Sequence, residues 1–431
     1  MIRFAIAVTL LLPLPAVPQN VRGDEGLAAV RGRYRQMEVP AKTDDQITFF
    51  EAQLKANPKD MQLLSGLATA FLQKVRETGD FAYLDRASQA VDRMRTDDPQ
   101  NYMALRLRIE IAMQYHQFPK VVDYATELIN RNPSDSGVTG LRGDAFMERG
   151  LTKEAERDYQ RMLELSPSLF SYNRMAYLRF VTGKPDEALG WMVQAVEAGS
   201  KVPENTAWAW YEFGEMLFKV GKTKDAETAY RRALSTFPGH HRAAGGLGRL
   251  LAAKGDIKGA EEYLRKAQAA VPLPEYSGAL AKLAALKGDK AEQKRQDALV
   301  DAVEKLMKAN GEKANRVLAI VYADEGRNLA RALEIAQAEF EVRDDVYSYD
   351  ALAWVLHRNG KTEEAQKPAE KSLLLGTPEP AFYFHAGMIA LASGDKEKAK
   401  AHLEHALALN PAFDFVHAAE AKAALAKLAA N

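Results

Sequence analysis

The sequence predicts an all-α fold, a solenoid of about ten helix-turn-helix hairpins, and three observations predict it. The first is a spacing of large, small and turn residues in Trp210 to Pro238, WYEFGEMLFKVGKTKDAETAYRRALSTFP, that recurs along the chain. Relative to Gly221, Trp210, Gly214 and Leu217 lie eleven, seven and four residues before, and Ala226, Tyr230, Ala233 and Pro238 five, nine, twelve and seventeen after. Small residues at Gly214, Ala226 and Ala233 let two antiparallel helices approach closely, while Trp210, Leu217 and Tyr230 fill the space between them and the next pair. The second is the series Gly150, Gly183, Gly221, Gly255, Gly288, Gly326, Gly360 and Gly394, with separations of 33, 38, 34, 33, 38, 34 and 34. The third is the absence of alternating β-branched runs, which a strand-containing repeat would need. One such hairpin cannot bury its own faces, so the units must stack.

Each element follows in order. Met1, Ile2 and Arg3 are a basic end, Phe4 to Leu12 an apolar run, and Pro13, Pro15 and Pro18 break a helix afterwards. Residues 1–16 therefore read as an export signal, with a mature chain from about Val17. The apolar run is short of the roughly 20 residues that span a bilayer, and no membrane span is expected in the mature chain. Residues 17–42 read as a linker. Thr43-Asp44 opens a helix in which Ile47, Phe50 and Leu54 recur before Asn57-Pro58 stops it. Met61 to Pro99 is a longer unit, with extra residues around Lys74 to Phe81 and a second-helix face of Ala87, Val91 and Met94. Asn101 to Pro133 is a degenerate unit without a turn glycine. The glycine-marked units then follow, and the two separations of 38 place insertions at Gly199 to Pro203 and around Ala309 to Glu312, read as longer inter-repeat loops. The unit around Gly288 carries Gln293 and Asp297 where apolar residues belong, a weak point in the stack. The array is expected over 43–411, with 412–431 as a capping helix spanning Phe413 to Ala430.

This pattern resembles the tetratricopeptide repeat over about Asp44 to Pro411. Leu247, Gly248, Leu251, Ala260, Leu264, Ala267 and Pro272 match around Gly255, and Tyr383, Gly387, Ala390, Ala399, Leu403, Ala406 and Pro411 match around Gly394. The resemblance implies a right-handed superhelix whose first helices line a concave groove.

Composition narrows the function. Lys plus Arg equals Asp plus Glu at 58 each, so the chain is formally neutral and nucleic acid is not an expected partner. Cysteine is absent, which removes disulfides, thiolate metal sites and thiol nucleophiles. No Walker-type loop or nucleophile elbow occurs, and no catalytic residue, cofactor or metal site is expected. Gly245-Gly246-Leu247-Gly248 follows no strand and reads as a soft joint in a helix rather than a phosphate loop. His402 and His405 stand three apart without a completing carboxylate, and read as solvated histidines.

Candidate binding residues are those a repeat does not need for packing. The resemblance places ten, six and three residues before each turn glycine, extended to thirteen before, on the groove wall. Phe170, Asn173, Tyr177 and Phe180, then Trp208, Tyr211, Glu215 and Phe218, form an aromatic stretch. Arg242 and Arg249, Lys282 with Glu275, then Lys313 and Arg316, form a basic middle of five bases against one acid. Tyr347, Asp350, Trp354 and His357, then Phe384 and Met388, return to aromatic character. Aromatic walls offer stiff contact area to an extended peptide, and a basic floor suits acidic groups. The paired Lys and Asn or Arg of the carboxylate-clamp subset are absent, so chaperone tails are not the expected ligand. The resulting expectation is a non-catalytic, periplasmic or secreted scaffold that binds a protein or peptide partner in its groove. The alternatives are a glycan or small-ligand subunit of an envelope enzyme or transport system, and a self-assembling solenoid.

Overall fold

A computed structural model of the chain describes residues 39–40, 42–309 and 314–430. The expected signal 1–16, nearly all of the linker 17–42, and Lys313 lie outside the described residues. The chain divides into two compact units between Ala145 and Phe146.

Among the described residues the structure is helical without strands. The first unit holds α1 (Thr43–Ala56), α2 (Met61–Thr78), α3 (Ala82–Asp97), α4 (Tyr102–Gln114), α5 (Phe118–Arg131) and most of α6 (Ser136–Glu148). Ile47, Phe50 and Leu54 are buried on α1 as the spacing predicts, and Ala87, Val91 and Met94 on α3. The extra residues near Lys74 lengthen α2 to 18 residues before Gly79 turns the chain at φ 68°. In the unit without a turn glycine, His116 takes the left-handed turn at φ 56° and the Gln117 N–H closes it onto the Ala112 carbonyl at 2.9 Å. A histidine can adopt this conformation, which is why the turn survives although its sequence signal is missing.

The second unit continues with α7 (Thr152–Leu165), α8 (Leu169–Val181), α9 (Pro185–Ala198), α10 (Pro203–Lys219), α11 (Thr223–Thr236), α12 (His241–Ala253), α13 (Ile257–Ala270), α14 (Pro274–Leu286) and α15 (Lys290–Ala309). It ends with α16 (Arg316–Glu325), α17 (Leu329–Val342), α18 (Val346–Arg358), α19 (Thr362–Ser372), α20 (Pro380–Ala392), α21 (Lys396–Leu409) and α22 (His417–Ala430). The eight predicted turn glycines all have positive φ, between 68° and 84°. At Gly221 the Lys222 N–H reaches the Leu217 carbonyl at 2.9 Å, the bond that closes a helix C-terminus on a left-handed residue. Starts are equally local: Pro185, Pro203, Pro274 and Pro380 open helices. The side chains of Asp256, Asn315, Asp345 and Asp395 accept from backbone N–H groups of the first turn.

Three expectations are corrected. The insertion at Gly199 to Pro203 lengthens a helix: α10 runs 17 residues where α8 and α12 run 13, while most of the insertion expected around Ala309 to Glu312 lies outside the described residues. Pro203 suits a first helical turn, so the added residues extend the helix instead of a loop. The capping helix begins at His417, because 411–416 form turns in which the Asp414 carboxylate accepts from the Val416 and His417 N–H groups. In the unit around Gly288 the inward positions of α15 are Glu292, Gln296, Val300, Val303 and Met307. Polar contacts replace the missing apolar pair there: Gln296 donates to Glu292 at 2.8 Å, and Gln268 donates to Gln296 at 2.7 Å.

Small residues set the helix spacing. A Cβ on Gly214 would sit 2.7 Å from the Tyr230 ring, and one on Gly387 2.7 Å from Leu403. The Gly245-Gly246-Leu247-Gly248 run is no soft joint, since its glycines admit three neighbours. Tyr276 would lie 2.4 Å from a Cβ on Gly245, Tyr230 2.7 Å from one on Gly246, and Leu264 2.7 Å from one on Gly248.

Candidate partner-binding groove

The first helices α8, α10, α12, α14, α16, α18 and α20 each touch the next one, making a continuous inner layer of the second unit. Gly245, Gly246 and Gly278 on that layer let large neighbours approach, which draws the layer tight.

The stack returns on itself. Glu148 pairs with Arg343, and the Asp344 N–H donates to the Glu148 carbonyl at 3.3 Å. Thr377 Oγ1 donates to the Val181 carbonyl at 2.6 Å, and Asn410 Nδ2 to the Phe218 carbonyl at 2.7 Å. These partners stand 192 to 196 residues apart. Beside them, Cβ atoms on Gly150, Gly183 and Gly221 would collide with the carbonyls of Asp344, Gly376 and Leu409. Three successive hairpin turns thus seat against three successive inter-repeat loops, with Lys219 and Glu379 paired at 2.7 Å alongside.

This closure decides where the candidate residues lie. Phe170, Asn173, Phe180 and Trp354 are buried, each 4% exposed or less. Tyr177, Trp208, Tyr211, Phe218 and Tyr347 are half-buried. Tyr177 and Tyr347 join one apolar cluster with Met175, Leu178, Val346 and Phe382, drawn from both ends of the closure. Lys219 lies 5.7 Å over the Phe180 ring and 5.6 Å over the Tyr347 ring, whose opposite neighbour is Arg316 at 5.2 Å. Burial raises the Tyr347 hydroxyl to about 12. A second group gathers Trp208, Tyr211 and His240 with ring centroids 5.7 to 6.2 Å apart. Burial lowers His240 to about 3, so its ring is neutral.

Three of the bases are matched by carboxylates, Glu215 from the stripe itself and Asp324 and Asp345 from outside it. Arg249 pairs with Glu215 at 2.8 Å, Lys282 with Asp324 at 2.7 Å, and Arg316 with Asp345 at 3.1 Å. Arg242 differs: it has no carboxylate within ion-pair distance among the described residues and lies 5.5 Å over the Trp208 ring. Trp208 Nε1 is buried without a hydrogen-bond partner. Glu212, whose charge Arg242 favours, is raised to about 7, by burial first and then by Glu215.

A polar cluster at the far end of the inner layer escaped the sequence reading. Asp324 on α16 takes the Trp354 Nε1–H at 2.7 Å and the Lys282 ammonium at 2.7 Å. His385 on α20 and His417 on α22 stand beside it, both buried. His402 and His405, the pair visible in sequence, instead flank Tyr383. Spacing alone could not join Asp324, His385 and His417, because three different hairpins supply them.

The fold and this inner layer define a class, an all-helical array of stacked hairpins. Family models for the tetratricopeptide repeat match residues 167–239, 217–283 and 380–413, so those segments carry tetratricopeptide repeats. No curated protein matches it. Among solved structures it is similar to PilW, a type IV pilus biogenesis factor, at 18% identity over 47% of this chain and 93% of that one, TM-score 0.41. It is also similar to YrrB, described as a repeat protein with an unusual peptide-binding site, at 18% identity over 42% and 93%, TM-score 0.30. MamA is similar at 20% identity over 38% and 93%, TM-score 0.31. No helix among the described residues is long and apolar enough to cross a membrane.

Proposed function

We propose that the chain is an exported, non-catalytic scaffold that holds a protein or peptide partner on the inner layer of its second unit, at Trp208, Tyr211 and Arg242. Tetratricopeptide repeats commonly serve protein interaction, which supports the coarse reading. The observation that carries the finer one is Arg242, whose guanidinium meets an aromatic face and no carboxylate within ion-pair distance among the described residues, although Glu275 and Glu212 act on its charge from further off. An acidic side chain or main-chain carbonyl of a partner supplies the acceptor that the Arg242 guanidinium lacks. Among the described residues, Arg249, Lys282 and Arg316 already hold carboxylate partners of their own. The export reading rests on Met1 to Ala16.

Titration of the full-length mature protein with extended acidic-aromatic peptides tests the site. Binding is expected to weaken as salt rises, and Arg242→Ser is expected to lower affinity about tenfold, the loss of one charged contact. Unchanged affinity in Arg242→Ser removes this site from the proposal, and binding of oligosaccharides in place of peptides transfers it to glycan recognition. N-terminal sequencing of protein from its source is expected to begin near Val17; an intact Met1 in a cytosolic fraction defeats export.

A further inference from the structure

We propose that Asp324, His385 and His417 form a binding site for one divalent transition-metal ion, of the kind that takes imidazole and carboxylate ligands as zinc does. The site is independent of the partner-binding reading. Each residue offers one ligand atom, and these atoms lie within 4.8 Å of one another, with His417 Nε2 at 3.6 Å from Asp324 Oδ1. Such an ion binds nitrogen and oxygen at about 2.0–2.2 Å, so tetrahedral ligand atoms stand roughly 3.3–3.6 Å apart. The three groups therefore close by about 1 Å, which side-chain torsions supply, and water takes the fourth position.

The surroundings are those that orient metal ligands. His385 Nδ1 lies 2.9 Å from Asp350 Oδ1, and that is the ring's one hydrogen bond among the described residues, so Nε2 remains for an ion. His417 Nδ1 faces Asp414 at 4.0 Å and turns Nε2 toward Asp324. The Asp350 carboxylate behind His385 fixes that ring's tautomer and raises its basicity as a ligand. Asp324 is held in turn: Lys282 occupies Oδ2, and Trp354 donates to Oδ1, which keeps a second lone pair. The wall around the cluster is aromatic, with Trp354 stacked 4.3 Å from His385 and Phe384 4.7 Å from His417.

The same carboxylate also serves a cation of the protein: the Lys282 ammonium lies 2.7 Å from Asp324 Oδ2. Lys282 is then a competitor for Asp324, which gives the proposal a direct handle.

The test uses the full-length mature protein, stripped with a chelator and dialysed against zinc, with bound metal measured by mass spectrometry and cobalt(II) as a visible probe. One zinc per chain is expected. His385→Asn and His417→Asn are expected to lower zinc affinity at least tenfold and to change the cobalt d–d bands, with helical circular dichroism showing that each variant is folded. The positioning change Asp350→Asn is expected to weaken binding about 10- to 100-fold, the range for outer-shell partners of ligating histidines. Lys282→Gln is expected to tighten it, a gain that no loss of packing produces. Wild-type protein that retains neither zinc nor cobalt overturns the site. So does undiminished binding in the folded His385→Asn or His417→Asn variants, or loss of binding only on His402→Asn with His405→Asn.

Discussion

At the residue scale, the same side-chain type behaves in opposite ways according to what surrounds it. Glu212 lies between Glu215 and a buried wall, and its folded value near 7 stands above its ordinary 4.5. Glu292 receives Gln296 and Arg265 and is held at about 2. For Glu212 the folded state binds the proton more tightly, so its contribution is complete below pH 4.5 and is lost as pH rises through 7. Glu212→Gln keeps the neutral shape and is expected to stabilise the protein by roughly 1–3 kcal/mol at pH 8, a gain that fades below about pH 4.5. Thermal melts of both proteins between pH 4 and 8 check this, and parallel curves at every pH would contradict it. Glu292 has the opposite sign: its contribution is complete above pH 4.5 and is lost as pH falls through 2.

At the element scale, hairpins were legible in sequence because their determinants are local. Turn glycines, proline starts and Asp or Asn caps act within one helical turn, and Gly214, Ala226, Tyr230 and Ala233 meet as their spacing requires. Gly214→Leu drives a branched chain into the Tyr230 ring and is expected to cost about 1–3 kcal/mol or more despite the better helix propensity of leucine. A melting curve like that of the wild type would mean that the repeat had been misphased. What the pattern could not show is which loop meets which turn nearly 200 residues away. The inner stripe was read from spacing as a groove wall, yet Phe170, Phe180 and Trp354 are buried. For the same reason the carboxylates Asp324 and Asp345, which answer Lys282 and Arg316, were absent from a count taken along one stripe. His116 escaped because glycine is not the only residue that enters the left-handed region.

At the scale of the whole molecule, neutrality conceals a strongly paired interior in the second unit. Arg343 is 3% exposed and joins Glu148 to Glu339, the latter at 2.6 Å. Removing one partner leaves buried carboxylates uncompensated, so Arg343→Ala is expected to destabilise this unit by about 3–5 kcal/mol. Calorimetry on the full chain checks the size, and a loss below about 1 kcal/mol would mean that water enters this closure freely. Open repeat arrays unfold from any weak unit outward. Here the unit around Gly288 lies between the joined turns and loops, so one cooperative transition of the second unit is expected in place of progressive fraying.

The seating of three turns on three loops also has a mechanical meaning. An open stack pulled from its ends peels one hairpin at a time, in small and nearly equal lengths. Here Glu148, Val181 and Phe218 are fastened to Arg343, Thr377 and Asn410, so tension between the ends of the second unit loads all three fastenings in parallel and leaves the helices between them slack. Such a unit gives almost no extension until the fastenings part, and then releases the enclosed chain in a single long rupture, the response of a clasp and not of a spring.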